Sequence, residues 1–344
     1  MHKNIILLYI LFFTFLSCED KPEPIASQGK YTDGVFIINE GNFRAGNAEV
    51  SFFDETQDTV YHNIYVGKNG KKLGDVAMHM VPVGNKFYLV VNNSGKIEVL
   101  EKESFKQISS ISGLISPRYF LQVTDSTAWV SDLSERAITL IGLKDNNIIR
   151  KISVPRTLET MLLHTDYVYA CAWRKGNVVY KLDKNSGEVL DSVVVHNEPN
   201  SMAIDADNQL WVLSDGGVLN RTQAALSRIS LSDFNLVATF PFSNTNSYPS
   251  RLLVDHEGLN LYFIDNHVYK MGISDTQLPT QAFAQSTGQI YYGMSIHPGT
   301  GNVYVTDAKD YISHGSFSVY THLGQKLYTH TTGIIPAYFA FVGN

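Results

Sequence analysis

The runs "PNSMAID" (Pro199–Asp205), "QLWVLS" (Gln209–Ser214), "ALSRISLS" (Ala225–Ser232) and "LVATFPF" (Leu236–Phe242) succeed one another in a single stretch of chain. Each is short, apolar or aromatic-rich, and bounded by Asp, Asn, Ser or Gly, the composition of a strand between turns. Four such runs without helical periodicity between them describe one four-stranded antiparallel unit. The second run then recurs as "GVFIIN" at 34, "FYLVVN" at 87, "AWVSD" at 128, "VYACA" at 168, "LWVLS" at 210, "LYFID" at 261 and "VYVTD" at 303. A repeat of roughly 40–50 residues, each unit holding four strands, is the sequence signature of propeller blades. The expectation is an all-β, seven-bladed β-propeller of four-stranded antiparallel blades.

One blade is incomplete at the start of the chain, because no strand-like run precedes "GVFIIN". The terminal "PAYFAFVGN", Pro336–Asn344, has the pattern of an inner strand such as "PNSMAID" or "PSRLLVD", and no second strand comes after it. It is expected to complete blade one and close the ring, hiding edges that would otherwise be exposed.

The composition suits a folded core. Of 344 residues, 44% are hydrophobic and 17% charged, enough apolar side chain for a packed domain. The formal net charge of -6 and the lack of any Lys/Arg cluster argue against nucleic acid as a partner.

The chain opens on "MHKNIILLYILFFTFLSC": a lysine, an apolar run, then a small residue before Cys18. This pattern reads as a secretory signal over residues 1–17. The apolar run is shorter than the roughly 20 residues that span a bilayer. "FLSC" has the form of a bacterial lipobox, which would make Cys18 the acylated first residue of the mature protein; the alternative is an ordinary signal peptide with an incidental cysteine. Residues 18–33, "CEDKPEPIASQGKYTD", then read as a lipidated tether, and 34–344 as the propeller. The other cysteine, Cys171, lies within a strand-like run and reads as a buried small hydrophobe.

With "GVFIINEGNF", the "LWV" and "VYV" strands and the lipobox in view, the chain resembles the YncE-like propeller lipoproteins of Bacteroidetes, the group that includes BtuG-type surface cobalamin-binding proteins. Glu19 and Asp20 resemble the export signal of that group's lipoproteins. The resemblance implies a lipid-anchored protein of the outer membrane, exposed at the cell surface. It would bind a small ligand, with a corrinoid such as cobalamin as the candidate, and work with an outer-membrane transporter. No cofactor is expected.

In this blade order, two sets of loops share the channel face: those from outer strand to next inner strand, and those from second to third strand. The opposite face carries short turns such as "DKNSGE" and "LSDFN". On the channel face the second-to-third loops are long in blade one (39–47), blade five (214–224) and blade seven (307–316). Irregular loops on a rigid scaffold are where sites usually lie. They supply Asn42, Phe43, Arg44, Asn220, Arg221, Lys309, Tyr311 and His314, and blades one and seven should share a wall.

Five outer-to-inner connections end in proline, at 117, 155, 199, 249 and 336. Just beyond them, or in matching places, stand Arg118, Tyr119, Arg156, Asn200, Arg251, Tyr291 and Tyr292. Arginine with tyrosine suits a polar ligand bearing carbonyls, amides or phosphate; the bland alternative pairs each arginine with a carboxylate of an adjacent blade. Trp173 and Arg174, at a turn of blade four, either meet the ligand or cap the core. Asn39, Asp132, Asp265 and Asp307 occupy one repeat position and read as turn residues rather than metal ligands. No metal-ligand spacing or nucleophile elbow occurs, so the chain is not expected to be an enzyme. Two alternatives stay open: a lactonase-like propeller hydrolase, or a protein-docking scaffold.

Overall fold

In the computed structural model, residues 31–217 and 222–343 are described. The signal and lipidation reading at residues 1–17 and Cys18 lies outside them, as do Asn220 and Arg221. Seven antiparallel sheets form the seven blades. The inner strands are Pro336–Val342, Ala77–Val83, Pro117–Gln122, Met161–His164, Pro199–Ile204, Ser250–Val254 and Tyr291–Ile296, for blades one to seven. Each packs against the next around the ring.

The chain closes as the sequence led us to expect. Pro336–Val342 pairs antiparallel with Gly34–Asn39, from Gly34 opposite Val342 to Asn39 opposite Pro336. The first and last described strands therefore share blade one. Chain entry is at the opposite end from the channel mouth: the Tyr31 amide donates to the carbonyl of Glu103, in a third-to-fourth turn of blade two.

Seven hydrophobic clusters fill the seven seams between neighbouring blades. Second strands lie between two such seams, so both their faces are buried. Gly34–Asn39 is buried at every position, and Gln209–Ser214 at every position but the first. This two-sided burial explains why these runs read as continuous apolar blocks, as in other doubly covered strands. Outer strands do the reverse: Asn147–Ser153 is mostly exposed. Cys171 is fully buried in the seam between blades four and five, and burial pushes its thiol up to about 12.

One blade departs from the four strands expected. Blade six has three strands, Ser250–Val254, Asn260–Asp265 and His267–Gly272, not four. The fourth place is taken by an irregular segment that touches the third strand through a single bridge, Val268 to Ala284. "TQLPTQ" in that segment carries Pro279, which has no N–H to give a ladder. The fold also holds one short helix among the described residues, Ile64–Asn69, between blades one and two. Its Ile64 and Tyr65 pack into the seam there.

A local irregularity recurs where the inner strands begin. Six of the seven show a register shift at their first residues; blade four, whose inner strand starts only at Met161, does not. Bulges re-aim side chains, and these six stand at the channel mouth.

Candidate functional site

The mouth face holds a cavity of about 710 Å³. Its lining comes from strand entries and second-to-third loops of all seven blades, as the blade order requires. Asp132 and Asp307 act there as turn residues. Each carboxylate accepts from the backbone of both mouth loops of its own blade, Asp132 from Ser116 (2.7 Å) and Ser134 (2.8 Å), Asp307 from Ile290 (2.9 Å) and Lys309 (2.8 Å). Asp265 holds Ser247 and Tyr248 in the same way. These acids therefore pin the loops that frame the cavity, and are occupied in doing so.

Arg118 enters from blade three and meets Glu159, just before the inner strand of blade four. Its Nε donates to both carboxylate oxygens, at 3.0 and 2.9 Å, and Nη2 to Oε1 at 2.5 Å. For this arginine the bland alternative holds: it is paired across a seam. Burial works against its charge, but Glu159 outweighs that and holds the pKa above the ordinary arginine value. Its guanidinium also lies 5.8 Å from the ring of Trp173. Trp173 in turn donates from Nε1 to Asp215 at 3.1 Å, and Asn200 donates to the same oxygen. Burial raises the Asp215 carboxyl above its ordinary value despite these donors.

Arg251 enters from blade six with a positive φ of 60°, a backbone conformation rare for a non-glycine residue. Its guanidinium stacks over the ring of Tyr338, 4.2 Å from the centroid, and Nε donates to the Tyr292 carbonyl at 3.1 Å. The Tyr292 hydroxyl donates to Glu40 at 3.0 Å. Burial lifts the Glu40 carboxyl above its ordinary range, against the opposing pull of Arg251, Tyr292 and Arg118.

Below these groups the Tyr119 and Tyr338 hydroxyls are hydrogen-bonded to each other. The ring of His79 lies 5.0 Å from that of Tyr119 and 5.5 Å from that of Tyr338. His79 accepts the Phe120 amide on Nδ1, and burial, helped by Arg251, lowers its pKa to about 4, so it is neutral at pH 7. Contacts thus run from Arg251 in blade six through Tyr338 and Tyr119 to Arg118 and Glu159 at blade four.

Of the residues singled out from the sequence, Phe43, Arg118, Tyr119, Trp173, Arg251, Tyr292 and Tyr311 line the cavity, with Asn200 and Tyr291. Blades one and seven do share a wall: Asn42 donates to the Tyr311 carbonyl at 2.5 Å, and the rings of Tyr292 and Tyr311 lie 5.9 Å apart. Asn42, Arg44, Arg156 and Arg174 do not line it. Asn42 is turned to that loop tie, and Arg44 lies exposed over the ring of Phe43 at 5.1 Å. Arg156 is exposed and bonds the Lys175 carbonyl at 3.3 Å, because Pro155 does not lead at once into a strand; Glu159 takes the mouth position instead. Arg174 is exposed at its turn. Lys309 and His314 are exposed as well.

Sequence reasoning missed Glu40, Glu159, Asp215, His79 and Tyr338. A usable signal existed: His79, Tyr119, Arg251 and Tyr338 stand just inside their inner strands, where a polar residue in an apolar run must face the channel.

Comparison with known proteins places the chain within a family and a fold. The family model described as a domain of unknown function, DUF5074, matches residues 33–326. No curated protein matches. Among solved structures, a quinonprotein alcohol dehydrogenase-like protein from Bacteroides thetaiotaomicron is 17% identical with a TM-score of 0.73, covering 91% of this chain and 79% of that one. A functionally unknown protein from Desulfotomaculum acetoxidans is 13% identical with a TM-score of 0.69, covering 90% and 98%. A candidate 6-phosphogluconolactonase from Bacteroides uniformis is 12% identical with a TM-score of 0.65, covering 92% and 100%. At these identities the likeness speaks for the propeller fold alone.

Proposed function

We propose that this chain, which belongs to the DUF5074 family, captures a small organic ligand in the cavity at the propeller mouth. The observation that carries this reading is the cavity itself: about 710 Å³, framed by aromatic rings and holding a few buried charged groups at fixed positions. That combination of flat apolar walls and sparse, aimed polar groups is what small-molecule sites have in common. The lipobox at Cys18 and the acidic pair after it support a lipid-anchored, surface-exposed protein of the outer membrane that passes its ligand to a transporter there.

The likeness to surface propeller lipoproteins suggests a corrinoid such as cobalamin as ligand. Titration of purified mature protein with cyanocobalamin by calorimetry tests it. Saturable binding at micromolar concentration or tighter, weakened by Trp173→Ala, is the expected result; no heat at such concentrations removes the corrinoid. For the anchor, Cys18→Ala should move the protein from the membrane fraction to the soluble one, and an unchanged distribution would overturn lipidation.

The hydrolase alternative has less behind it. Glu159 is held by Arg118 on both oxygens, and Glu40 is held by Tyr292 on one.

A further inference from the structure

One wall of the cavity leaves a donor and an acceptor unused. Glu40, only 8% exposed, accepts the Tyr292 hydroxyl on one oxygen; its other oxygen has no hydrogen-bond partner among the described residues. Arg251 commits Nε to the Tyr292 carbonyl, and its two η nitrogens make no hydrogen bond among those residues. Both residues line the cavity. Tyr292 touches both groups: its carbonyl accepts from Arg251, its hydroxyl donates to Glu40, and its ring lies 5.6 Å from the Arg251 guanidinium. Its ring meets that of Tyr311 at 86°, with centroids 5.9 Å apart.

Elsewhere in the cavity, Arg118 and Glu159 cancel within their own pair. Asp215 is solvated by neutral donors, the Trp173 indole, Asn200 and the Gly217 amide, and belongs to blade five rather than to this wall. The result is a balanced wall with donors on one side and an acceptor on the other.

Three head groups can be weighed against it. A carboxylate satisfies Arg251 but sets like charge against Glu40. An ammonium satisfies Glu40 and meets Arg251. A carboxamide offers a carbonyl to the first and an N–H to the second, with no net charge to oppose either. Buried polar groups left unpaired are costly, and like charges brought together more so.

We infer that the Arg251–Tyr292–Glu40 wall recognises a neutral carboxamide on the ligand, its oxygen accepting from the Arg251 η nitrogens and its N–H donating to Glu40. This rests on the capture reading above and adds the chemical class that the wall reads.

Three probes sharing one flat naphthalene ring system and differing in head group decide it: naphthalene-2-carboxamide, naphthalene-2-carboxylate and 2-naphthylmethylammonium, each titrated into the purified protein at neutral pH. The carboxamide should bind about tenfold tighter than either charged probe. Glu40→Gln, which removes the negative charge, should bring the carboxylate at least level with the carboxamide. Arg251→Gln should do the same for the ammonium. Retained melting transitions establish that both variants fold. Equal affinities, a charged probe binding tightest, a ranking that neither variant moves, or no binding by any probe would each overturn the assignment. A protein that binds cyanocobalamin yet fails to rank the probes keeps the capture reading and loses only this one.

Discussion

Two sides of the same cavity use arginine differently. On the side of blades three and four, Arg118 is clasped by both oxygens of Glu159 and has little left to offer. On the side of blades six and seven, Arg251 leans on aromatic rings and keeps its η nitrogens for the cavity. Both stand after a proline-marked entry, yet one is paired across a seam and the other faces the cavity with its η nitrogens unpaired. An arginine near a mouth is therefore not a ligand contact by position alone; the deciding factor is whether a neighbouring blade supplies a carboxylate within reach.

Removing Pro336–Asn344 tests both sides at once, because it takes away the strand that closes blade one and the Tyr338 ring on which Arg251 rests. The expected outcome is loss of a cooperative melting transition. Glu159→Gln should come next, at about 3–5 kcal/mol by denaturant unfolding, since a buried guanidinium stripped of its partner cannot shed its charge. The double change Arg118→Met with Glu159→Leu should recover most of that, and a failure to recover would show the pair to be more than a seam clamp. Arg251→Gln should cost about 1 kcal/mol, the scale of a cation–π contact, while changing probe binding. If it destabilised as strongly as Glu159→Gln, the contrast between the two sides would collapse.

A smaller effect should separate the sides by pH. The folded-state pKa of Glu40 lies above its ordinary value of 4.5, so between those two pKa values the folded protein holds a proton that the unfolded chain has lost. Stability from this group then falls as pH rises through that window. Glu40→Gln should melt higher than the parent at pH 7, with the gap closing toward pH 4. An equal gap at both pH values would show that ionisation is not its cause. The smallest change is expected from replacing 42–44 with Asn-Gly. Phe43 is 63% exposed and Arg44 is exposed, so melting should stay within about 0.5 kcal/mol, while ligand affinity falls because Phe43 lines the cavity.

The ring was legible because its signal repeats: seven apolar second strands, each buried on both faces, leave the same mark seven times. Blade six lost its fourth strand unseen, because "ISDTQ" looks like any other turn and the failure lies in the proline-bearing segment after it. The site was only half legible. Phe43, Trp173 and Tyr311 stand out as large side chains in loops. Glu40 and Glu159 do not, since one carboxylate in a polar loop resembles any other until a partner from a distant blade arrives. Arg156 misled for the same reason in reverse, its proline standing too far ahead of the strand.

Tyr119, Tyr338 and His79 form one contact cluster, of which Tyr119 lines the cavity. If that cluster seals the channel opposite the mouth, arrival and departure of a captured ligand share one path. A departure rate independent of competitor concentration is then expected, and a rate that rises with competitor would show a second way out.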